Sequence, residues 1–169
     1  KWPVQMVLRV PIGAYGSGGP YHSSSVESVV LQIKGVKVAY PSNAADMKGL
    51  MKAAFYDPNP VVIFEHKGLY WSKVPGTLDT KTVEPDEHYI IPLGKAAIAQ
   101  HADKQKTKEG NTLTVITYGM GVYWAKNAAK NFEGQTEILD LRTLNPLDEA
   151  AIFNSVKKHN KVIVLTEET

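Results

Sequence analysis

Residues 61–64 read Val-Val-Ile-Phe with no polar residue among them, a run that suits a strand covered on both faces. The flanking sequence agrees. Residues 4–10 read as a short apolar strand between Pro3 and the Pro11-Ile12-Gly13 break. Val26, Val29, Val30 and Ile33 follow at the spacing of one helical face, and Gly35 ends that helix. Residues 36–39 read as a second strand, and Ser42 or Asn43 caps a helix whose face is Ala44, Met47, Leu50, Met51 and Ala54. Asp57-Pro58-Asn59-Pro60 stops that helix just before the apolar run. Strand, helix, strand, helix, strand is the order of a mostly parallel sheet with crossover helices.

From Trp71 to His88 the pattern fades into a mixed-charge stretch rich in turn residues, read as a linker. Beyond it, residues 89–100 and 113–118 read as strands joined by a lysine-rich polar loop at 101–111. Val122, Ala125, Ala129 and Phe132 mark a helix, residues 137–141 a strand, and residues 161–165 one more buried strand. A helix over 146–159 carries Asp148 and Glu149 in its first turn and Lys157, Lys158 and His159 in its last, the order that complements a helix dipole. The expected fold class is therefore α/β: two three-layer domains with mostly parallel sheets, both looking truncated, at 1–70 and 89–169 with a linker at 71–88.

Charge and cysteine exclude several classes of function. Nineteen basic residues against 17 acidic ones give a net charge of +2, which demands neither nucleic acid nor an anionic membrane as partner. Only Arg9 and Arg142 are arginines, whereas base-reading proteins lean on that residue. The absence of cysteine removes disulfides, thiolate metal sites and a cysteine nucleophile. No apolar stretch is long enough for a membrane span and the first residues lack the apolar core of a signal peptide, so the expected location is cytoplasmic, or the matrix in a eukaryote.

Chemistry concentrates at residues 16–25, Gly-Ser-Gly-Gly-Pro-Tyr-His-Ser-Ser-Ser, where a single imidazole, His22, follows a glycine-rich turn directly after a strand. Glycines allow positive φ and close approach, and histidine exchanges protons near neutral pH. By residue type alone, a solvated loop histidine fits these residues as well. The glycines match neither a phosphate loop nor a dinucleotide fingerprint, and no Gly-x-Ser-x-Gly elbow occurs. His66, His88, His101 and His159 lack metal-ligand spacing and are expected at the surface. The carbonyls at the helix end before Asp57-Pro58-Asn59-Pro60 can meet water or a hard cation. Arg142, between a strand and a helix, fits either a salt-bridged turn or a functional arginine.

Taken in order, these segments resemble a known family. Pro11-Ile12-Gly13, Tyr21-His22-Ser23, Gly35-Val36-Lys37-Val38, Pro41-Ser42, Lys48-Gly49-Leu50, Asp57-Pro58-Asn59-Pro60, Glu65-His66-Lys67 with Leu69-Tyr70, Pro92-Leu93-Gly94-Lys95-Ala96, Val115-Ile116-Thr117-Tyr118-Gly119 and residues 140–148 run collinearly with the beta subunit of the 2-oxo acid dehydrogenase decarboxylase component, of pyruvate or branched-chain (2-oxoisovalerate) type. The resemblance spans Pro3 to Glu167 and implies a transketolase-like architecture: the later part of a pyrimidine-binding domain, a linker, and the first part of the C-terminal domain. It implies oxidative decarboxylation of a 2-oxo acid with acyl transfer to lipoamide, using thiamine diphosphate and Mg2+ held mostly by other segments. His22 falls on the family's active-site histidine, which serves as a proton donor in that chemistry.

Some members hold a structural monovalent cation, usually potassium, at the helix end, and the matching positions are the carbonyls of Ala54, Asp57 and Asn59. The implied partners are an alpha subunit or alpha-type domain, a second beta copy and a lipoyl-bearing acyltransferase core. The sequence departs from the family at Ser24 (usually Gln), Val26-Glu27-Ser28 (usually Pro-Glu-Ala) and Trp71 (often Arg). The glutamate that activates the aminopyrimidine precedes Lys1 in the family, so this chain alone is expected to be inactive. Two other readings stand beside this one. The first is ketol transfer of transketolase or deoxyxylulose-phosphate synthase type, against which the two arginines argue, and the second is a noncatalytic subunit-contact module.

Overall fold

The structure is a computed structural model that describes residues 2–16 and 18–168; Lys1, Ser17 and Thr169, which fall within the expected loop and domain segments, lie outside the described residues. The apolar run becomes β3 (Val61–His66), all six residues of which are buried. It lies between β1 (Val7–Ile12) and β2 (Lys37–Ala39), parallel to both. The two-residue period of a strand divides its side chains between two cores. Val61 and Ile63 pack with Ala39 and with Leu50 and Ala54 of helix α2 (Ala44–Tyr56), while Val62 and Phe64 join Ile12, Val38 and Tyr40 on the opposite face. Full burial of a side chain such as Phe64 contributes about 1.5–3 kcal/mol, which fixes the register of the central strand.

Asn43, not Ser42, caps α2, its Oδ1 accepting the Asp46 N–H at 2.9 Å. Helix α1 (Glu27–Leu31) is shorter than the 26–33 pattern suggests: Val26 and Val30 reach the core, whereas Val29 and Ile33 stay exposed.

The second sheet is ordered β4 (Ala97–Gln100), β6 (Thr136–Asp140), β5 (Leu113–Thr117), β8 (Val162–Val164), parallel except for β4. Helix α4 (Gly121–Ala129) packs Ala125 against Val115 and Ile138 on one face. On the other face, helix α5 (Glu149–His159) inserts Ala151, Ile152 and Val156 into the core that also holds Ile116, Leu139, Val62 and Phe64. One hydrophobic core thus runs from the first sheet into the second.

Four local expectations change. Residues 89–96 are irregular rather than strand, because Tyr89, Ile91 and Leu93 pack beside α2, where the Gly49 carbonyl accepts the Ile91 N–H at 3.2 Å. The lysine-rich loop contains a short helix, α3 (Lys104–Lys108), nucleated by Asp103, whose Oδ1 accepts from the N–H groups of Gln105 and Lys106. Strand β8 is an edge with all three residues exposed, not a buried strand. The sequence reading also missed β7 (Thr143–Asn145), which leaves the second half of the chain and pairs antiparallel with β2, completing the order β1-β3-β2-β7.

Two histidines expected at the surface are buried. His159 sits between the Thr112 hydroxyl (2.7 Å from Nδ1) and the Glu137 carboxylate (3.1 Å from Nε2). Burial alone would raise the Glu137 carboxyl, but Lys158, Ser155 and His159 outweigh it and hold it below the usual range. His66, on the last residue of β3, is the other.

Candidate functional site

In a parallel sheet, the loops that leave the carboxyl ends of the strands share one edge, where α/β proteins place their ligands. Here that edge gathers the loop after β1, the Pro41-Ser42 turn after β2 and the His66–Leu69 turn after β3. Gly13 starts the first loop at φ 93°, and a Cβ on it would overlap the His66 ring, so only glycine lets this backbone cross the imidazole. Gly18 plays the same part for His22: its Cβ would lie 2.6 Å from that of the histidine.

The loop is held from within and without. His22 N–H donates to Gly19 O at 3.2 Å, Ser24 Oγ donates to Pro20 O at 2.7 Å, and Lys67 Nζ donates to the His22 carbonyl. The backbone is thereby fixed while the side chain is exposed, and among the described residues the His22 ring makes no hydrogen bond or ion pair. That leaves both ring nitrogens available to an incoming group.

Beside this loop the edge carries several charged groups that the sequence did not single out. The buried Glu65 carboxylate accepts from Arg9 Nε and Nη2 and from Tyr70 Oη at 2.8 Å. Burial would raise its carboxyl, yet these partners hold it below the usual range; Tyr70, partly buried and donating to Glu65, is pushed up to about 12. These residues line a cavity of about 260 Å³ together with Ser42 and His66; His22 is not part of that lining. His66 Nδ1 accepts the Gly68 N–H at 3.0 Å, which leaves Nε2 for the proton, 2.9 Å from Glu167 Oε2.

Ala54, Asp57 and Asn59 come together, but away from His22. They form the C-terminal end of α2, at the amino edge of the sheet, and the six residues of β3 alone separate the two edges by about 20 Å. The Ala54 carbonyl accepts the Asp57 N–H at 3.2 Å, and Asp57 Oδ1 takes both the backbone and the side-chain amide of Asn59. Lys37 pairs with the other Asp57 oxygen. Of the two readings left open for Arg142, the structure supports the salt bridge: its guanidinium meets Asp46 at 2.8 and 2.6 Å. Among the described residues there is no group of three or more His, Cys, Asp or Glu arranged to hold a metal ion, and no helix long and apolar enough to cross a membrane.

Comparison with known proteins finds two family matches along the chain. Residues 1–72 match the transketolase pyrimidine-binding domain and residues 102–169 the transketolase C-terminal domain. The chain belongs to the transketolase-like family. Among members of this family, it is 39% identical over 171 residues to the 2-oxoisovalerate dehydrogenase subunit beta of Bacillus subtilis, covering 99% of this chain and 48% of that protein. It is also 39% identical over 170 residues to the pyruvate dehydrogenase E1 component subunit beta of Acholeplasma laidlawii, covering 99% and 47%. The chain therefore spans about half the length of the curated relatives it matches. A solved split-gene transketolase, described as an inactive beta4 tetramer, superposes with a TM-score of 0.71 over 98% of this transketolase-like chain and 49% of its own, at 17% identity. At that identity the likeness bears on the fold alone.

Proposed function

We propose that the chain is the beta-subunit region of a thiamine-diphosphate-dependent 2-oxo acid dehydrogenase, with His22 as its proton donor. The observation that carries the reading is the 39% identity, across 99% of the chain, to beta subunits of both a 2-oxoisovalerate and a pyruvate dehydrogenase. Residues 1–70 then form the later part of the pyrimidine-binding domain, 71–88 the linker and 89–169 the first part of the C-terminal domain. The partners are an alpha subunit or alpha-type domain, a second beta copy and a lipoyl-bearing acyltransferase core, in the cytoplasm or a mitochondrial matrix.

Thiamine diphosphate, when bound, would supply the nucleophilic carbon and the electron sink that decarboxylation of a 2-oxo acid needs. Its diphosphate and Mg2+ are assigned to the alpha partner, and this chain contributes the imidazole. The exposed His22 ring suits that part: its backbone is pinned by Gly19 and Lys67, and its nitrogens have no competing partner among the described residues. As the substrate carbonyl oxygen gains charge, His22 gives it the proton from a ring nitrogen; reprotonated from solvent, which reaches the exposed ring, the same nitrogen then protonates the departing sulfur of lipoamide in the acyl-transfer half-reaction. The Gly18 contact fixes where the ring is set, because any larger residue there would push His22 Cβ away.

At the other edge, the carbonyls of Ala54, Asp57 and Asn59 are assigned a structural monovalent cation, K+. Support comes from their place at the end of a 13-residue helix, where carbonyl partial charge accumulates. Lys37 already neutralises the Asp57 carboxylate, which leaves the main-chain oxygens as the donors.

The deciding experiment is His22→Ala in the assembled enzyme, assayed with pyruvate and with branched-chain 2-oxo acids. Loss of a positioned acid is expected to lower lipoamide acylation by about 10²–10⁴-fold. Unchanged acylation would remove His22 from the reaction, and no turnover of any 2-oxo acid by the wild-type assembly would remove the reaction itself.

A further inference from the structure

The segment after β8 turns back over the molecule and lies on the loop that follows β1. Glu167 Oε1 accepts the Ala14 N–H at 3.1 Å, across 153 residues of sequence, while its Oε2 faces His66 Nε2 at 2.9 Å. Glu168 receives the Ser28 N–H on both oxygens, at 2.8 and 2.9 Å, across 140 residues. Next to Ser28 stands Glu27, which is 0% exposed, and neither of its carboxyl oxygens has a hydrogen-bond partner among the described residues. A carboxylate in that setting carries a desolvation cost that the nearby His66 offsets only in part, so the neutral acid is the form that fits.

The groups whose charge acts on Glu27 come from every side. Glu167 and Glu168 approach from the segment after β8 and His66 from β3, while Tyr40 and Tyr118 lie beyond β2 and β5. Lys67 acts on Glu167 from the turn after β3. Three acids therefore meet at one junction, beside the His66 ring and the Lys67 ammonium.

We propose that this junction is a proton-operated latch. With Glu27 protonated, residues 166–168 seat on the β1 loop and on α1. When Glu27 ionises, a third negative charge beside Glu167 and Glu168 drives the segment off and frees the loop that carries His22. Burial, reinforced by the Glu168 and Glu167 charges, raises the Glu27 carboxyl to about 7, so the change falls near neutrality. A raised carboxyl stabilises the seated state at low pH, and that contribution is lost as pH rises through 7.

Amide hydrogen exchange of the full-length chain tests this, because Ala14 and Ser28 donate the two latch hydrogen bonds. After correction for intrinsic rates, their protection is expected to fall about tenfold between pH 6 and pH 8, as one proton is lost, and to stay level in Glu27→Gln. Level protection in the wild type, or the same fall in Glu27→Gln, would overturn the latch. Should Glu27→Gln fail to fold, Glu168→Ala provides a second reading: Ser28 protection should vanish at every pH with the circular dichroism unchanged. Retained Ser28 protection in that variant would show that residues 166–168 do not hold α1. No turnover is measured, so this result is independent of the 2-oxo acid reading.

Discussion

Arg142→Ala tests how strongly the β6–β7 turn is tied to the first sheet. The Asp46 side chain is 4% exposed and that of Arg142 19%, and their two hydrogen bonds, at 2.8 and 2.6 Å, link positions 96 residues apart. Removing one partner of a buried pair costs about 3–5 kcal/mol, because the other charge stays buried alone. Asp46 would keep one contact, from Asn43 Nδ2 at 2.9 Å, which places the cost near the lower end, about 3 kcal/mol. Arg142 has φ 57°, but alanine meets the same backbone penalty as arginine there, so strain cancels. The Arg142 N–H bond to Asp140 belongs to the main chain and survives the substitution. Urea denaturation followed by circular dichroism measures the loss. In the Arg142→Ala background, Asp46→Ala should recover about 1–2 kcal/mol by removing the stranded charge. A loss below about 1 kcal/mol, or no recovery in the double variant, would show that water screens the pair as it does at a surface.

Asp140, wholly buried between the Ser42 hydroxyl and the Arg142 N–H, is raised by burial from 3.8 to about 6. The folded chain then holds a proton that the unfolded chain releases, so stability should fall as pH rises from about 4 to 6, and Asp140→Asn should flatten that slope in pH-dependent melts. If Ala54, Asp57 and Asn59 hold a monovalent cation, exchanging choline chloride for potassium chloride at equal ionic strength should stabilise the chain by about 1–3 kcal/mol, and coincident melting curves would refute the site.

The elements legible in the sequence are those whose local signals and tertiary burial point the same way. Residues 61–64 suit a doubly covered strand, and α2 has a cap at Asn43 and a stop at Asp57-Pro58, so both were readable before any fold was known. Tyr89, Ile91 and Leu93 alternate like a strand, yet the segment finds its partner in the Gly49 carbonyl on α2, which no local pattern reveals. Three residues, Thr143–Asn145, are too few to show a period, and β7 exists because β2 presents it with an open edge. At the site, the glycines around His22 were visible because glycine is the residue that close approach, at Gly18, and positive φ, at Gly16 and Gly19, demand. The burial of His66, Glu27 and Glu65 was not, since an isolated polar residue carries no mark of what will surround it. The one available hint was Glu27 standing between Val26 and the apolar 29–30 pair, at the edge of a helical face.

Strand β7 also bears on how such a chain can be recombined. A chimera spliced after residue 88 would take its first sheet from one parent and that sheet's fourth strand from the other, with Val38↔Asn145 and Ala39↔Thr143 forced to match across the seam. Asp46 and Arg142 would then be inherited from different parents. The natural unit of exchange is consequently a discontinuous one, in which residues 142–145 travel with the β2–α2 segment they complete.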